Sequence, residues 1–317
     1  MISDPVPPDV PLAAAPGGAP VRARIIGVLL VFASGVAFST KAVLVKLAYR
    51  QGADAVSLLA LRFGFAAPFF ALGARFGGKR NVQLSRRDLF MIVLLGVLGY
   101  YAASLCDFIG LRYISAGLER LILFIYPTLV VIVEAWLFKV RLGGRKISAL
   151  LITYVGIALA FHGELGNYGS DVPRGAAWVF GCALTYALYL LGAGRMVPKL
   201  GSQRFTSLAL LAAAGAVLVH ARIAGARLLG LSASIYGLGL IMALVATVAP
   251  AFLLARGIAL IGSGPAAIVS TVGPVSTILL AYFWLQEPVS GAVLLGTALV
   301  ILGATLVALG GRRTEQA

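Results

Sequence analysis

Charge is scarce in this chain, and acidic charge is scarcer still. Only 12 % of the 317 residues are charged, with 11 Asp and Glu against 26 Lys and Arg. Soluble domains carry about 25 % charged residues. A chain this poor in charge, 60 % hydrophobic and with a mean hydropathy of +0.98, has more apolar surface than a water-facing fold can hide, which excludes a soluble enzyme and points to lipid. Cysteine and histidine number two each. Cys106 and Cys182 stand in separate apolar stretches without CxxC spacing, and His162 and His220 fall near the ends of such stretches, so neither a disulfide framework nor a zinc constellation is expected. The spans likewise place no histidine for a nucleophile–base pair, which weighs against an intramembrane enzyme. No cofactor motif is complete. "GARFGGK" at Gly73–Lys79 satisfies GxxxxGK, but Arg80 stands where Ser or Thr is required, and the stretch follows an apolar helix rather than a strand. That leaves no ATPase and hence no primary pump.

What is present is long apolar runs. A helix needs about 20 apolar residues to cross a bilayer, and on that ruler the chain holds ten spans: 25–47, 55–75, 89–111, 116–138, 147–163, 175–197, 205–222, 234–260, 264–285 and 290–310. Open-edged sheets cannot cross lipid, so the spans are expected to be helices and the fold all-α. Residues 1–24, rich in Pro, Ala and Gly, read as a disordered tail without the basic-then-apolar order of a signal peptide, and 311–317 as a short second tail.

The excess of basic residues, a formal +15, is explained by loops rather than by nucleic acid, since no basic patch interleaves with aromatics on a soluble domain. With the N-terminus inside, sixteen Lys and Arg fall in inner segments and five in outer ones (Arg50, Arg112, Arg174, Arg222 and Arg227). Both termini are therefore expected on the cytoplasmic side. The longest outer loop, "HGELGNYGSDVPRG", carries acids instead.

The chain repeats itself. A shift of 147 lays Gly110 on Gly257, Ile114 on Ile261, Gly117 on Gly264, Pro127 on Pro274, Gly144 on Gly291 and Gly156 on Gly303; a shift of 148 lays Val31–Phe32 on Val179–Phe180. Five spans per half is an odd number, so the second half is inverted relative to the first. Inverted repeats are a transporter architecture with the site between the halves.

"GLRYISAGLERLILFIYPTLVVIVEAWLF" from Gly110 and "GIALIGSGPAAIVSTVGPVSTILLAYFWLQEPVSGAVLLGTALVILGATLV" from Gly257 resemble paired EamA domains of the drug/metabolite transporter superfamily, most recognisably in Leu285–Pro288. "LLALRFGFAAPFF", with Arg62, resembles that family's second helix, and Lys46 a lysine at the end of its first. The resemblance covers 25–310, in two repeats over 25–163 and 175–310. It implies ten helices and ATP-independent export or exchange of small metabolites, with spans 1, 3, 4, 6, 8 and 9 lining the path. Two departures stand out: Lys139-Val140 where the second half has Gln286-Glu287, and the charged Glu119 and Arg120 where small residues are usual.

Charges inside spans cost about 2.5–3.5 kcal/mol each on insertion scales and are functional candidates. Lys41 lies roughly 24 Å along the first span from its inner edge. Lys46, near the outer edge, reads as an interfacial anchor that snorkels. Arg62, Asp107, Glu119 and Arg120 fall at depths similar to Lys41. These five charges form either a structural ion-pair cluster or an outer half-site that opens around a carboxylate or phosphate, and Asp107 or Glu119 offers a route for proton coupling. Glu134 and Arg256 are candidates for a matching inner gate. Pro127 and Pro274 read as mid-span hinges that free a carbonyl, with Tyr126, Ser270 and Thr271 turned to a cavity and Tyr100, Tyr101, Tyr186 and Tyr189 as aromatic lining. Tyr189 is the repeat counterpart of Lys41. Two similar small-residue stripes, Ala149, Thr153, Gly156 and Ala160 in the fifth span and Ala292, Gly296 and Gly303 in the tenth, suit close packing within the chain or in a homodimer through those spans. The function expected is a secondary transporter of a small polar or amphipathic metabolite in a bacterial inner membrane. The rival is a receptor or assembly scaffold that transports nothing.

Overall fold

In lipid every backbone N–H and C=O must find its partner within the chain, so the apolar runs fold as helices. The computed structural model describes residues 21–77, 82–138 and 144–310. Among them ten helical spans follow in order: α1 (Val21–Arg50), α2 (Ala55–Phe76), α3 (Arg86–Gly110), α4 (Ala116–Leu123 with Tyr126–Phe138), α5 (Gly144–Tyr168), α6 (Val172–Leu200), α7 (Ser202–Ile223), α8 (Ala233–Ile261), α9 (Ser263–Val269 with Val272–Leu280, running on through Ala281–Leu285) and α10 (Gly291–Gly310). Nine of these described helices are long and apolar enough to cross a bilayer; the tenth, measured over Gly291–Leu306, is apolar but shorter.

Two expectations change at the edges. The tail expected over 1–24 loses Val21–Arg24 to α1, and its remainder, with 311–317, lies outside the described residues. So do residues 78–80 at the end of the GxxxxGK near-miss and Lys139–Val140. The long loop expected over 162–175 is mostly helix: α5 runs to Tyr168, a single 3-10 turn spans Gly169–Asp171, and α6 starts at Val172. Pro173, in the first turn of α6, has its φ preset for a helix start and no N–H to lose.

The repeat is written in the helix starts. α2, α3, α4 and α5 begin at 55, 86, 116 and 144; α7, α8, α9 and α10 begin at 202, 233, 263 and 291, each 147 later. The packing repeats too. α1 crosses α8 where Gly257 has no side chain, and Val31 Cγ2 fills the space a Cβ would take; α6 crosses α3 where Gly110 has none, and Val179 Cγ2 fills it. α5 lies against α10 so closely that a Cβ on Gly156 would come within 2.7 Å of the Gly296 carbonyl, and one on Gly303 within 2.8 Å of the Ala149 carbonyl. The two small-residue stripes thus meet each other inside one chain.

Irregularities recur at matching places. α3 widens into a π-helical turn over Val97–Ala102 and α8 over Leu244–Val248. Such turns are frequent at functional sites. α4 breaks at Phe124–Ile125 and α9 at Ser270–Thr271. The prolines do not stand in mid-helix as expected: Pro127 and Pro274 sit in the first turn of the second half-helix, just past each break. That is a position where the missing N–H costs least.

Charge lies inside and apolar surface outside. Lys41, Arg62, Asp107, Glu119, Arg120, Glu164 and Glu287 are buried, whereas Phe32, Leu72, Phe90, Leu151, Val155 and Phe283 are exposed toward the lipid. Trp136 and Trp284, both exposed, stand at opposite ends of the bundle, where indole rings favour the membrane–water boundary.

The α1–α2 turn illustrates local stabilisation. The Asp54 carboxylate accepts the N–H groups of Val56 and Ser57, both at 2.9 Å, and caps α2. Burial alone would raise this carboxyl, but the donors at Ser57 and Val56 outweigh it and hold it below the ordinary value. A depressed pKa stabilises the fold above the unfolded value and loses that contribution as pH falls through the folded one. Asp54→Ala is therefore expected to cost about 1 kcal/mol at neutral pH and to flatten the acid side of the stability curve. Thermal unfolding of both proteins from pH 7 to pH 3 checks it.

Candidate functional site

Three helices meet at one ammonium. Lys41 of α1 places Nζ 2.6 Å from Asp107 Oδ2 of α3 and 3.1 Å from Glu119 Oε1 of α4. Lys41 is 4 % exposed, Asp107 1 % and Glu119 0 %. Two carboxylates on one ammonium leave the trio negative by one charge, and two buried arginines adjoin it. Arg120, on the helical turn of Glu119, lies over the Phe38 ring at 4.8 Å and near Phe124 at 6.0 Å. Phe38 also carries Lys41 Nζ at 5.3 Å from its centroid. Arg62 of α2 donates its Nε to Thr247 Oγ1 at 2.7 Å and packs over Phe63 and Phe108. Thr247 sits in the π turn of α8, where its hydroxyl also reaches the Met242 carbonyl.

The set is incompletely satisfied. Among the described residues, Arg62 Nη1, Arg120 Nε, Asp107 Oδ1 and Glu119 Oε2 are buried without a hydrogen-bond partner. An unmet buried donor or acceptor costs about 1–3 kcal/mol, more when charged. The two arginine donors are what a polar ligand or ordered water would satisfy, whereas the Asp107 and Glu119 carboxyl groups lie within hydrogen-bond reach of each other. Arg120 also leans on α9: a Cβ on Gly273 would come within 2.7 Å of its Nη2. The Gly273 carbonyl accepts from Ser39 Oγ of α1 at 3.0 Å, tying that contact to the helix of Lys41.

Beside Arg120 the character turns aromatic. Tyr126 meets Tyr186 edge-on at 5.1 Å, Tyr186 stacks with Tyr189 at 5.6 Å, and Tyr189 with Phe205 at 6.0 Å. The Tyr189 and Tyr100 hydroxyls share a hydrogen bond of 2.9 Å. Lys41 and its counterpart Tyr189 thus head different chemistries, ionic in one half and aromatic in the other. Tyr101 stands apart, edge-on to His220.

Toward the α1–α2 end lies a second polar group that sequence reasoning missed. Lys46 does not simply snorkel: its Nζ pairs with Glu287 Oε1 at 2.7 Å. Glu287 Oε2 accepts the Ala116 N–H at 2.9 Å, and Glu164 accepts the Ser115 hydroxyl at 2.6 Å. Two buried carboxylates from α5 and the α9–α10 connection therefore clamp the N-terminus of α4, where the helix dipole favours negative charge. Glu287 was visible in the Leu285–Pro288 motif; its partners, 241 and 171 residues away in the numbering (287 − 46 and 287 − 116), were not.

The remaining candidates are not gathered. Glu134 and Arg256 are both exposed and form no ion pair among the described residues; side chains this near the helix ends face out rather than across. At that end of the bundle Lys199 instead pairs with Asp88 at 2.5 Å. The Ser270 and Thr271 hydroxyls bond the carbonyls of Ala266 and Ile268 at the α9 break, so both donors serve the backbone that the break exposes.

Comparison with known proteins agrees with this architecture. The chain matches the EamA-like transporter family over residues 25–162 and 173–309. It is 29 % identical over 273 residues to the uncharacterized transporter YcbK of Bacillus subtilis, covering 84 % of this chain and 88 % of that protein. It is 24 % identical over 245 residues to the uncharacterized inner membrane transporter YicL of Salmonella typhimurium, covering 75 % and 79 %. A solved crystal structure superposes with a TM-score of 0.64 at 20 % identity, over 91 % of this chain and 98 % of that one, a likeness of fold alone. With both halves matched in order along almost the whole described chain, this protein belongs to the EamA-like transporter family.

Proposed function

We propose that the protein is a secondary transporter, an exporter or exchanger, that moves a small amphipathic metabolite with a polar or anionic end across the bacterial inner membrane by alternating access, both termini cytoplasmic. The observation that carries this reading is the buried layer of Lys41, Asp107, Glu119, Arg62 and Arg120, with Arg62 Nη1 and Arg120 Nε unpartnered among the described residues, set beside the Tyr126–Tyr186 pair. A structural ion-pair cluster has no use for unmet donors; a binding site does. The five charges sum to one positive, three cations against two acids, which favours an anionic group. The polar end would lie at Lys41 and Arg120 and the apolar end on the tyrosines. Rocking of inverted halves about such a site is the physical route to alternating access, and the paired π turns and helix breaks supply deformable points in both halves. Proton coupling is assigned to Asp107 or Glu119, which share Lys41.

The test begins with a thermal-shift screen of purified protein against amino acids, sugars, nucleotides and organic anions. A stabilising compound is then followed into proteoliposomes. Saturable flux is expected, accelerated by an imposed pH gradient if the acids carry a proton. Binding without flux would favour the receptor or scaffold reading. Gly273→Val, which pushes a side chain into the Arg120 guanidinium, is expected to weaken that compound about tenfold, the loss of roughly one charged hydrogen bond, while leaving the melting temperature nearly unchanged.

A further inference from the structure

At the α1–α2 end a cavity of about 540 Å³ opens between the ends of α1 and α3 and the α9–α10 connection. It lies within the range of small-molecule sites, roughly 300–1,000 Å³. Its lining holds three cations, Lys46, Arg50 and Arg112, against one acid, Glu287, a net of two positive charges (3 − 1). The cations are placed by structure rather than scattered. Arg50 is held by its Nη2 bond to the Leu285 carbonyl at 2.7 Å. Arg112 lies over the Tyr49 ring at 5.2 Å, and the Tyr49 hydroxyl is fixed to the Phe108 carbonyl at 2.6 Å. Lys46 is held by Glu287. Arginines held in this way present planar forks, and such forks suit carboxylate and phosphate.

We propose that this cavity is an anion-binding vestibule, separate from the buried layer, that takes the carboxylate or phosphate of a small organic anion between Arg112, Arg50 and Lys46. The inference rests on the transporter reading for its purpose but not for its chemistry. Lys46 stands five residues from Lys41 along α1, about 7.5 Å of rise, so the vestibule floor is the last layer above the buried site. An anion there competes with Glu287 for Lys46. Glu287 in turn holds the first N–H of α4, the helix that carries Glu119 and Arg120. Occupation of the vestibule therefore acts on the latch of the helix below it. The same chemistry is offered by a soluble metabolite and by an anionic lipid headgroup.

The test uses full-length protein in neutral phosphatidylcholine nanodiscs. Inorganic phosphate is titrated at constant ionic strength with chloride as the balance, and thermal unfolding is the readout. A saturable rise in melting temperature is expected. Arg112→Gln should move its midpoint to about tenfold higher phosphate, the loss of one charge-assisted contact, and Arg112→Lys should recover part of the shift. Arg50→Gln, the second variant, should act in the same direction if Arg112→Gln does not fold. A protein neutralised in the buried layer (Lys41→Met, Asp107→Asn, Glu119→Gln) should keep the phosphate response even if it transports nothing. In discs containing phosphatidylglycerol, a phosphate midpoint displaced upward identifies the headgroup as occupant, and an unchanged one identifies a soluble anion. A response that never saturates, that ignores both arginine variants, or that vanishes in the neutralised protein overturns the proposal.

Discussion

Lys41→Met is expected to be the most damaging single substitution in the chain, with loss of transport and a stability cost of about 3–5 kcal/mol, the range for removing one partner of a buried ion pair. The reason is the burial of what it leaves behind. Asp107 and Glu119 are 1 % and 0 % exposed, and each gives its ammonium bond to Lys41. Without that ammonium two carboxylates face each other in a layer whose neighbouring cations, Arg62 and Arg120, are engaged with Thr247 and Phe38. Adding Asp107→Asn and Glu119→Gln should return most of the lost stability, since removing all the charges of a buried set is often neutral. Transport should not return. Guanidine or thermal unfolding in detergent separates the two effects: a triple variant as unstable as Lys41→Met would mean that the charges are not the source of the loss.

Gly296→Val is expected to cause the second-largest loss, about 3 kcal/mol or failure to fold, at the upper end for overpacking a tight contact. The Cβ it adds would stand 2.4 Å from the Gly156 carbonyl oxygen and 3.0 Å from Ala160 Cβ. A carbonyl oxygen in the middle of α5 cannot swing aside as a side chain can, so α5 and α10 must part along their length. In lipid, helix association depends on this packing because burial between helices brings no hydrophobic gain. Gly215→Ala is the control: its added Cβ meets nothing within 4 Å on an exposed face of α7, and it should be neutral or stabilising by about 0.5–1 kcal/mol. Yield and melting temperature of the two variants side by side decide the matter.

Much of the fold could be read from small residues. Gly110 and Gly257 match under the shift of 147, and Val31 and Val179 under the shift of 148. The structure turns those two matches into two equivalent contacts, Val31 on Gly257 and Val179 on Gly110. A glycine in a lipid-spanning helix has little use except close approach, so its spacing carries packing information directly. The Lys41, Asp107 and Glu119 grouping was legible for a different reason: buried charges at one depth must find each other. Depth did not identify which partners Arg62 and Arg120 would take, because Thr247 and the Phe38 ring are common residue types in apolar spans and carry no linear signal.

Lys46 shows where reasoning from depth fails. Distance to the interface says that an ammonium could reach water; it does not say that an acid from the far end of the chain stands nearer. Glu287 does, and Glu164 completes the clamp on α4 from α5. Glu134 and Arg256 fail in the opposite sense, since equal depth at the other end of the bundle does not turn two side chains toward each other. Depth narrows the candidates, and the rotation of each helix about its axis decides among them.

The buried charge layer is proposed to hold the substrate. The most direct measurement is counterflow of the stabilising metabolite in liposomes, comparing the native protein with the folded triple variant Lys41→Met, Asp107→Asn, Glu119→Gln. Saturable counterflow is expected for the native protein and none above empty liposomes for the variant. Equal counterflow in both, with equal protein inserted, would contradict it.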